Sequence, residues 1–408
     1  MSDEEKIATV DVVCYLCGIV DDRIKQERLI QFNNSAAENK VLGICRALQP
    51  HVKHVIAVST GRGGGIRNGS RFPAVSRRVS NVAVLYSAFW HHALLSHLVT
   101  AWSLVCLLFR LNKLSKNKSV CLIAYNRNWI YLPMLCMARL TGARCYLDLE
   151  DAPVLGNANL VSRFVIGLQV KVMDSLCKDG ALLASSLLSG DVSQKNQFVC
   201  HGVAYKRDVD ALCSQRDSKA SVRILFGGSL LKETGVQLLI DSVRLLEKQH
   251  QDICGKLKIV VTGYGEMLED LHKISLGDGA SWIDFHGEVP LSKYQSILKS
   301  VDIGLCLKLP SSEMCATTFP SKVVEYASFG KAVLSTRIQD VVNLFEDDGA
   351  YYVENESAES LAESFREIAL HPDRVGSIAA RGQERLLEKS GSEAVADGIM
   401  TLLSDEVL

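Results

Sequence analysis

The sequence predicts an α/β protein of two sheet-and-helix halves with a cleft between them, and three observations lead there. Short apolar runs alternate with amphipathic helical stretches through both halves, as parallel sheets require. A polar stretch, Lys206 to Ser221, separates the two alternations. Near residue 325 a short helix is framed by punctuation: Pro320 in its first turn, Gly330 just past its end, and apolar strands on either side. At 408 residues, 48% apolar and 22% charged, the chain has the composition and length for two sizeable cores.

In chain order, Val10 to Leu16 reads as a buried strand. Ser35-Ala-Ala-Glu38 reads as a capping box that opens a helix whose buried stripe is Val41, Leu42, Cys45 and Leu48. His54 to Val58 is the next strand. Gly61 to Arg71 is a glycine-rich basic loop that fits neither a dinucleotide nor a P-loop fingerprint, and it is expected to be mobile over the site. Val82 to Tyr86 is a strand. Ala93 to Phe109 follows as a mostly buried helix, with an interfacial helix and a membrane span as the alternatives. Strands at Val120 to Ala124 and Cys145 to Leu149 complete the first half, the latter running into Glu150-Asp151.

The second half begins with a strand at Ile224 to Gly227 and a helix at Gly235 to Leu246. Strands follow at Lys258 to Thr262, Trp282 to His286, Asp302 to Leu307 and Ala332 to Ser335. The helix between the last two would open at the carboxyl edge of its sheet, where α/β proteins bind ligands, and the N–H groups of Ser321 and Lys322 would face phosphate there. Glu325, about a turn further in, could accept two ribose hydroxyls. A nucleoside diphosphate is the expected guest.

Charge is unevenly spread. Residues 1–205 carry 23 Lys/Arg against 14 Asp/Glu, and residues 206–408 carry 22 against 32. From Asn39 to Leu147 there are fifteen Lys/Arg and no acid at all, which marks a surface meant for anions. Between Arg78 and Arg110 lies no charged residue, and this apolar placement favours anionic lipid over nucleic acid or a phosphate-bearing acceptor. The polar, acidic start MSDEEK carries no secretory signal, and the 13 scattered cysteines suit a reducing compartment. The expected location is cytoplasmic, peripheral on the inner face of a membrane. Cys14 and Cys17 spell C-x-x-C inside an apolar strand, so they read as packed thiols. His91 and His92 lack the company a metal would need, and no metal is assigned.

The segments GGSLLKETGVQLLIDS, VVTGYGE, IDFHGEVP and TFPSKVVEYASFGKAVLST resemble the C-terminal domain of family 4 glycosyltransferases of the GT-B fold. QFNNSAAENK, AYNRN and YLDLEDAP are similar to acceptor-side loops of its capsule, exopolysaccharide and O-antigen members. The resemblance spans nearly the whole chain. It implies two Rossmann-like domains: residues 1–203 for the acceptor, 204–385 for the nucleotide sugar, and a C-terminal helix in 386–408 packing back on the first domain. It also implies retaining transfer from a UDP- or GDP-sugar to a lipid-linked or oligosaccharide acceptor, without a required cofactor.

By the same resemblance Glu325 holds the ribose, and Ser321, Lys322 and the Gly227-Gly228-Ser229 turn face the phosphates. Gly263, Tyr264 and Gly265 with Glu288 and Val289 border the base, and Thr317 and Pro320 lie on the same donor-side segment. Glu150 and Asp151 stand near the reacting sugar, and Asn33, Asn39, Lys40, Asn126 and Arg127 on the acceptor side. The chain departs from the family pattern in two respects. Thr317 stands where many members carry a glutamate, and Ser229 and Thr234 stand where many carry a phosphate-binding Arg and Lys; Lys232 and Lys322 are the candidates to supply that charge. The departures leave a second function open, a catalytically silent GT-B protein that binds a nucleotide or glycan. An epimerase or a dehydrogenase would need an acid/base pair or a G-x-G-x-x-G turn, and neither is evident.

Overall fold

A computed structural model describes residues 10–30, 35–62, 69–92, 95–114, 119–153, 159–205, 221–276, 282–313, 315 and 318–404. Asn33, Thr317, most of the glycine-rich loop and nearly all of the polar stretch after residue 205 lie outside the described residues, as does the side chain of Ser35. The chain divides into two compact units, Met1–Val203 with Ser392–Leu408, and Ala204–Gly391.

The first unit runs β1 (Val12–Cys17), α1 (Asp22–Glu27), α2 (Ser35–Leu48), β2 (His54–Ser59), β3 (Arg71–Phe72), β4 (Val75–Val79), β5 (Val82–Tyr86) and β6 (Phe89–Trp90). It continues through α3 (Leu95–Asn112), β7 (Val120–Tyr125), α4 (Leu132–Leu140), β8 (Arg144–Leu149), α5 (Leu160–Leu176), β9 (Gly180–Leu183) and β10 (Gln197–Val199). Eight strands form one sheet in the order β10-β9-β8-β7-β1-β2-β5-β4, parallel except for the β4/β5 edge. The chain steps from β1 out through β2 and β5, then returns to the other side of β1 at β7. That reversal is a topological switch point, where the loops after β1 and β7 part and leave a crevice.

The second unit runs β11 (Val222–Ser229), α6 (Val236–Gln249), α7 (Gln251–Cys254), β12 (Leu257–Tyr264), α8 (Leu268–Ser275), β13 (Ile283–Gly287), α9 (Leu291–Ser300) and β14 (Ile303–Cys306). It ends with α10 (Lys322–Ser328), β15 (Ala332–Thr336), α11 (Gln339–Phe345), β16 (Tyr351–Val353), α12 (Ala358–Leu370) and α13 (Arg374–Ser390). Its six strands are all parallel in the order β13-β12-β11-β14-β15-β16, the 3-2-1-4-5-6 pattern of a Rossmann sheet. The strands are buried on both faces: Ile224 and Phe226 of β11 enter one apolar cluster while Leu225 enters the other. This explains why they read as continuous apolar runs.

The last helix, α14 (Ser392–Leu403), belongs to the first unit, where Val395, Ile399 and Leu402 join its core. Asn196 donates to the Leu402 carbonyl at 3.1 Å, and Gly398 lets the helix lie against the Phe198 ring, which a Cβ would meet at 2.2 Å. Sequence reasoning did not find β3, β4 or β6, and it placed Pro320 inside a helix that starts two residues later, at Lys322.

Candidate functional site

In the second unit the site is built where β11 and β14 separate. The β11 turn Gly227-Gly228-Ser229 runs beside the β12 turn, with Gly228 opposite Gly263 and Ser229 opposite Tyr264. Gly228 and Gly263 have φ of 124° and 141°, and Gly265 has 152°. A Cβ on Gly263 would lie 1.9 Å from the Gly228 carbonyl oxygen, and one on Gly265 would lie 2.3 Å from that of Leu230. Only glycine allows the two turns to approach this closely. Leu230 N–H donates to the Tyr264 carbonyl at 2.7 Å and locks them together. Tyr264, Glu288 and Ser229 are exposed around this edge, while Val289 packs onto the core.

Glu325 lies on α10, one turn from Lys322. Its Oε2 accepts from Lys322 Nζ at 2.7 Å and from the Tyr294 hydroxyl at 2.9 Å, and Lys322 Nζ also donates to that hydroxyl at 3.0 Å. The ammonium sits 4.5 Å from the Tyr294 ring centroid, a cation–π contact. Burial, then the neighbouring Tyr326 and Glu325, push the Tyr294 phenol far above its ordinary value, so it stays protonated and donates to the carboxylate. The Lys322 side chain leans over the β11 turn, its Cε 3.5 Å from where a Gly228 Cβ would stand. A glycine turn, a cation and a carboxylate thus share the switch point of the sheet.

Some expectations change here. The Ser321 N–H is not open to a ligand, since it donates to the Phe319 carbonyl at 2.9 Å. Thr234, where a cation was sought, is a local cap: its hydroxyl accepts from Leu231 N–H at 3.0 Å and donates to the Ser229 carbonyl at 2.8 Å. Lys232 is exposed on the same loop, with its carbonyl accepting from Gly235 N–H at 3.0 Å. Lys308, which no sequence motif marked, is buried just past β14 and donates to the Thr318 carbonyl at 2.6 Å and to the Thr318 hydroxyl. It ties down the segment that leads into α10.

In the first unit Glu150 and Asp151 follow β8, next to the β1/β7 crevice. Glu150 pairs with Lys40, whose ammonium also bonds Asp148 Oδ1 at 3.1 Å, and Asp148 Oδ2 accepts from Tyr15. Lys40 is 8% exposed and Asp148 fully buried, so the lysine expected to meet the acceptor is instead the counter-ion of the buried Asp148 and the partly buried Glu150. Asn126 adopts φ of 54°, and its Oδ1 accepts from the N–H groups of Glu150 at 2.8 Å and Asp151 at 3.5 Å. It shapes the loop that carries both acids. Arg127 is turned inward: it holds Asp174 by two bonds of 2.8 and 3.1 Å and the Asp191 carbonyl at 2.6 Å, a structural role in place of the acceptor contact expected for it. Asn39 is exposed on α2.

Among the described residues no three His, Cys, Asp or Glu side chains gather as a metal site. The twelve described cysteines are free, and burial raises Cys14 and Cys17, the latter to about 12, as for packed thiols.

Residues 221–371 match the family described as glycosyl transferases group 1. No curated protein sequence matches the chain. Solved structures with the same fold include TarM, at TM-score 0.65 and 10% identity over 98% of this chain and 100% of that one. Anabaena Alr3699/HepE in complex with UDP aligns at TM-score 0.63 and 12% identity, over 96% of this chain and 99% of that one. An α,α-trehalose-phosphate synthase (UDP-forming) from Burkholderia xenovorans, in complex with glucose-6-phosphate, aligns at 0.65 and 11%, over 96% and 99%. The family match lies within the second unit, and these structures share the GT-B fold of two Rossmann-like α/β units with this chain.

Proposed function

We propose that the protein transfers a sugar from a nucleoside diphosphate sugar, with retention at the anomeric carbon, to a lipid-linked or oligosaccharide acceptor in cell-surface polysaccharide synthesis. One observation carries the donor side: the Gly228 turn, Lys322 and Glu325 stand together at the switch point of a Rossmann-ordered sheet. Departure of a nucleoside diphosphate builds negative charge on the leaving oxygen, and a positioned cation stabilises it. Lys322 is the cation at that place, and it answers for the Arg/Lys pair that Ser229 and Thr234 replace. Glu325 keeps Oε1 for the ribose hydroxyls while Oε2 takes Lys322 and Tyr294. Glu150 and Asp151 are the acids proposed to face the reacting sugar or the acceptor hydroxyl. UDP, held in the HepE structure, is the first donor nucleotide to try, with GDP beside it.

The engagement of Lys322 with Glu325 also favours a second reading, a GT-B protein that binds nucleotide or glycan without turnover. Nucleotide release separates the two. Incubated with UDP- and GDP-sugars chosen by thermal shift, the protein is expected to release UDP or GDP slowly from one donor. Lys322→Ala should slow that release at least about tenfold, roughly 1.4 kcal/mol of barrier, with Lys232→Ala as the comparison. Binding without release would favour the silent protein, and an undiminished rate in both variants would remove the role given to these lysines.

A further inference from the structure

The helices α3, α4 and α5 leave an apolar face uncovered, and its charge says what covers it. α4 packs against both α3 and α5, so the three lie side by side on one face of the first sheet. α3 has the length and hydropathy of a bilayer-crossing helix, yet Leu104, Leu107, Leu108 and Leu111 are buried in the unit. Its other side is open, with Leu98 67% and Trp102 71% exposed. α5 is more open still: Leu160 is 85% and Phe164 72% exposed, and its buried residues are Met173 and Asp174, near its C-terminal end. Leu140, the last residue of α4, is 79% exposed.

Large apolar side chains thus stand exposed on three adjacent helices, and soluble surfaces seldom keep so much apolar area bare. Charge selects the occupant. α3 contains no Asp or Glu, and neither does α5 from Leu160 to Met173, whereas Arg110, Lys113, Arg163 and Lys171 are exposed around the patch. A second copy seated on this face would bring cations against cations. Anionic lipid supplies both an apolar interior and opposite charge. Beside Trp102 an apolar cavity of about 430 Å³ opens, lined by Ala74, Ala88, Leu98 and Leu107 with Arg110 at its wall, a place for an acyl chain next to a cation for its head group.

We infer that the α3–α4–α5 face docks on an anionic membrane surface, with α3 and α5 lying in the interface. The inference stands apart from the donor site and needs no turnover. The full chain would be floated with vesicles of phosphatidylcholine alone and of phosphatidylcholine with phosphatidylglycerol. It should rise with the anionic vesicles and stay behind with the neutral ones. Phe164→Asp/Leu168→Asp, and separately Trp102→Asp, should each lower the bound fraction at least about tenfold, with the melting temperature kept because these side chains are exposed. A wild-type chain that ignores anionic vesicles, or variants that float as it does, would overturn the assignment. So would a wild-type dimer split by Phe164→Asp/Leu168→Asp, which would give the face to a second copy. Flotation without nucleotide release would sink the transferase reading and leave this one standing.

Discussion

Lys40 sits between the buried Asp148 and the partly buried Glu150, and its charge keeps two carboxylates in place across 108 and 110 residues of sequence. Removing one partner of a buried ionic cluster leaves uncompensated charge, which costs about 3–5 kcal/mol. Lys40→Met should therefore lower the urea midpoint by an amount equivalent to that range, and a loss under about 1 kcal/mol would mean water already screens the cluster. The Glu150-Asp151 pair was legible as the end of an apolar strand, whereas Asp148, inside that strand, was not. Nor was the counter-ion: Lys40, two residues past the Ser35–Glu38 capping box, looks solvent-facing, and only the tertiary fold brings it to Asp148 and Glu150. Arg127 was misjudged for the same reason, since Asp174 lies 47 residues away.

At the scale of elements, the β11 and β12 turns touch backbone to backbone, and Gly263 is the hinge of that contact. An alanine there would meet the Gly228 carbonyl and hold a φ of 141° that side chains avoid. Strain of this kind costs about 1–3 kcal/mol, and the turns must part to relieve it. Gly263→Ala should lower the melting temperature and weaken nucleotide binding together; unchanged binding in a destabilised variant would show that the ligand does not touch this pair of turns. The glycines, the α10 helix and most strands were readable because apolar runs and Gly/Pro punctuation are local signals. β4 was not, since Val75-Ser-Arg-Arg-Val79 pairs antiparallel at a sheet edge and carries two arginines. Neither α5 nor its exposed flank was read from the sequence, since which side of an apolar helix is covered depends on its neighbours.

For the whole molecule, two α/β units with separate switch points explain why composition and alternation predicted the architecture. The buried thiols add a pH dependence. Burial raises Cys17 and Cys145 from 9.0 to about 12 and Cys306 to about 11. Each folded value lies above the unfolded one, so this contribution is complete below about pH 9 and is lost as pH rises through the folded values. Urea midpoints should fall between about pH 8 and about pH 10.5; a flat or rising profile would contradict such deep burial.

The central claim is that Glu325 holds the ribose of a nucleoside diphosphate, and a binding cycle tests it most directly. UDP and its 2′,3′-dideoxy analogue, or the GDP pair if guanine proves the base, would be titrated calorimetrically into the wild-type protein and into Glu325→Gln. A hydrogen bond to a charged acceptor is worth about 1.5–3 kcal/mol, so the wild type should prefer the intact ribose by more than about tenfold and the variant should lose that preference. Equal discrimination by both proteins would place the ribose elsewhere.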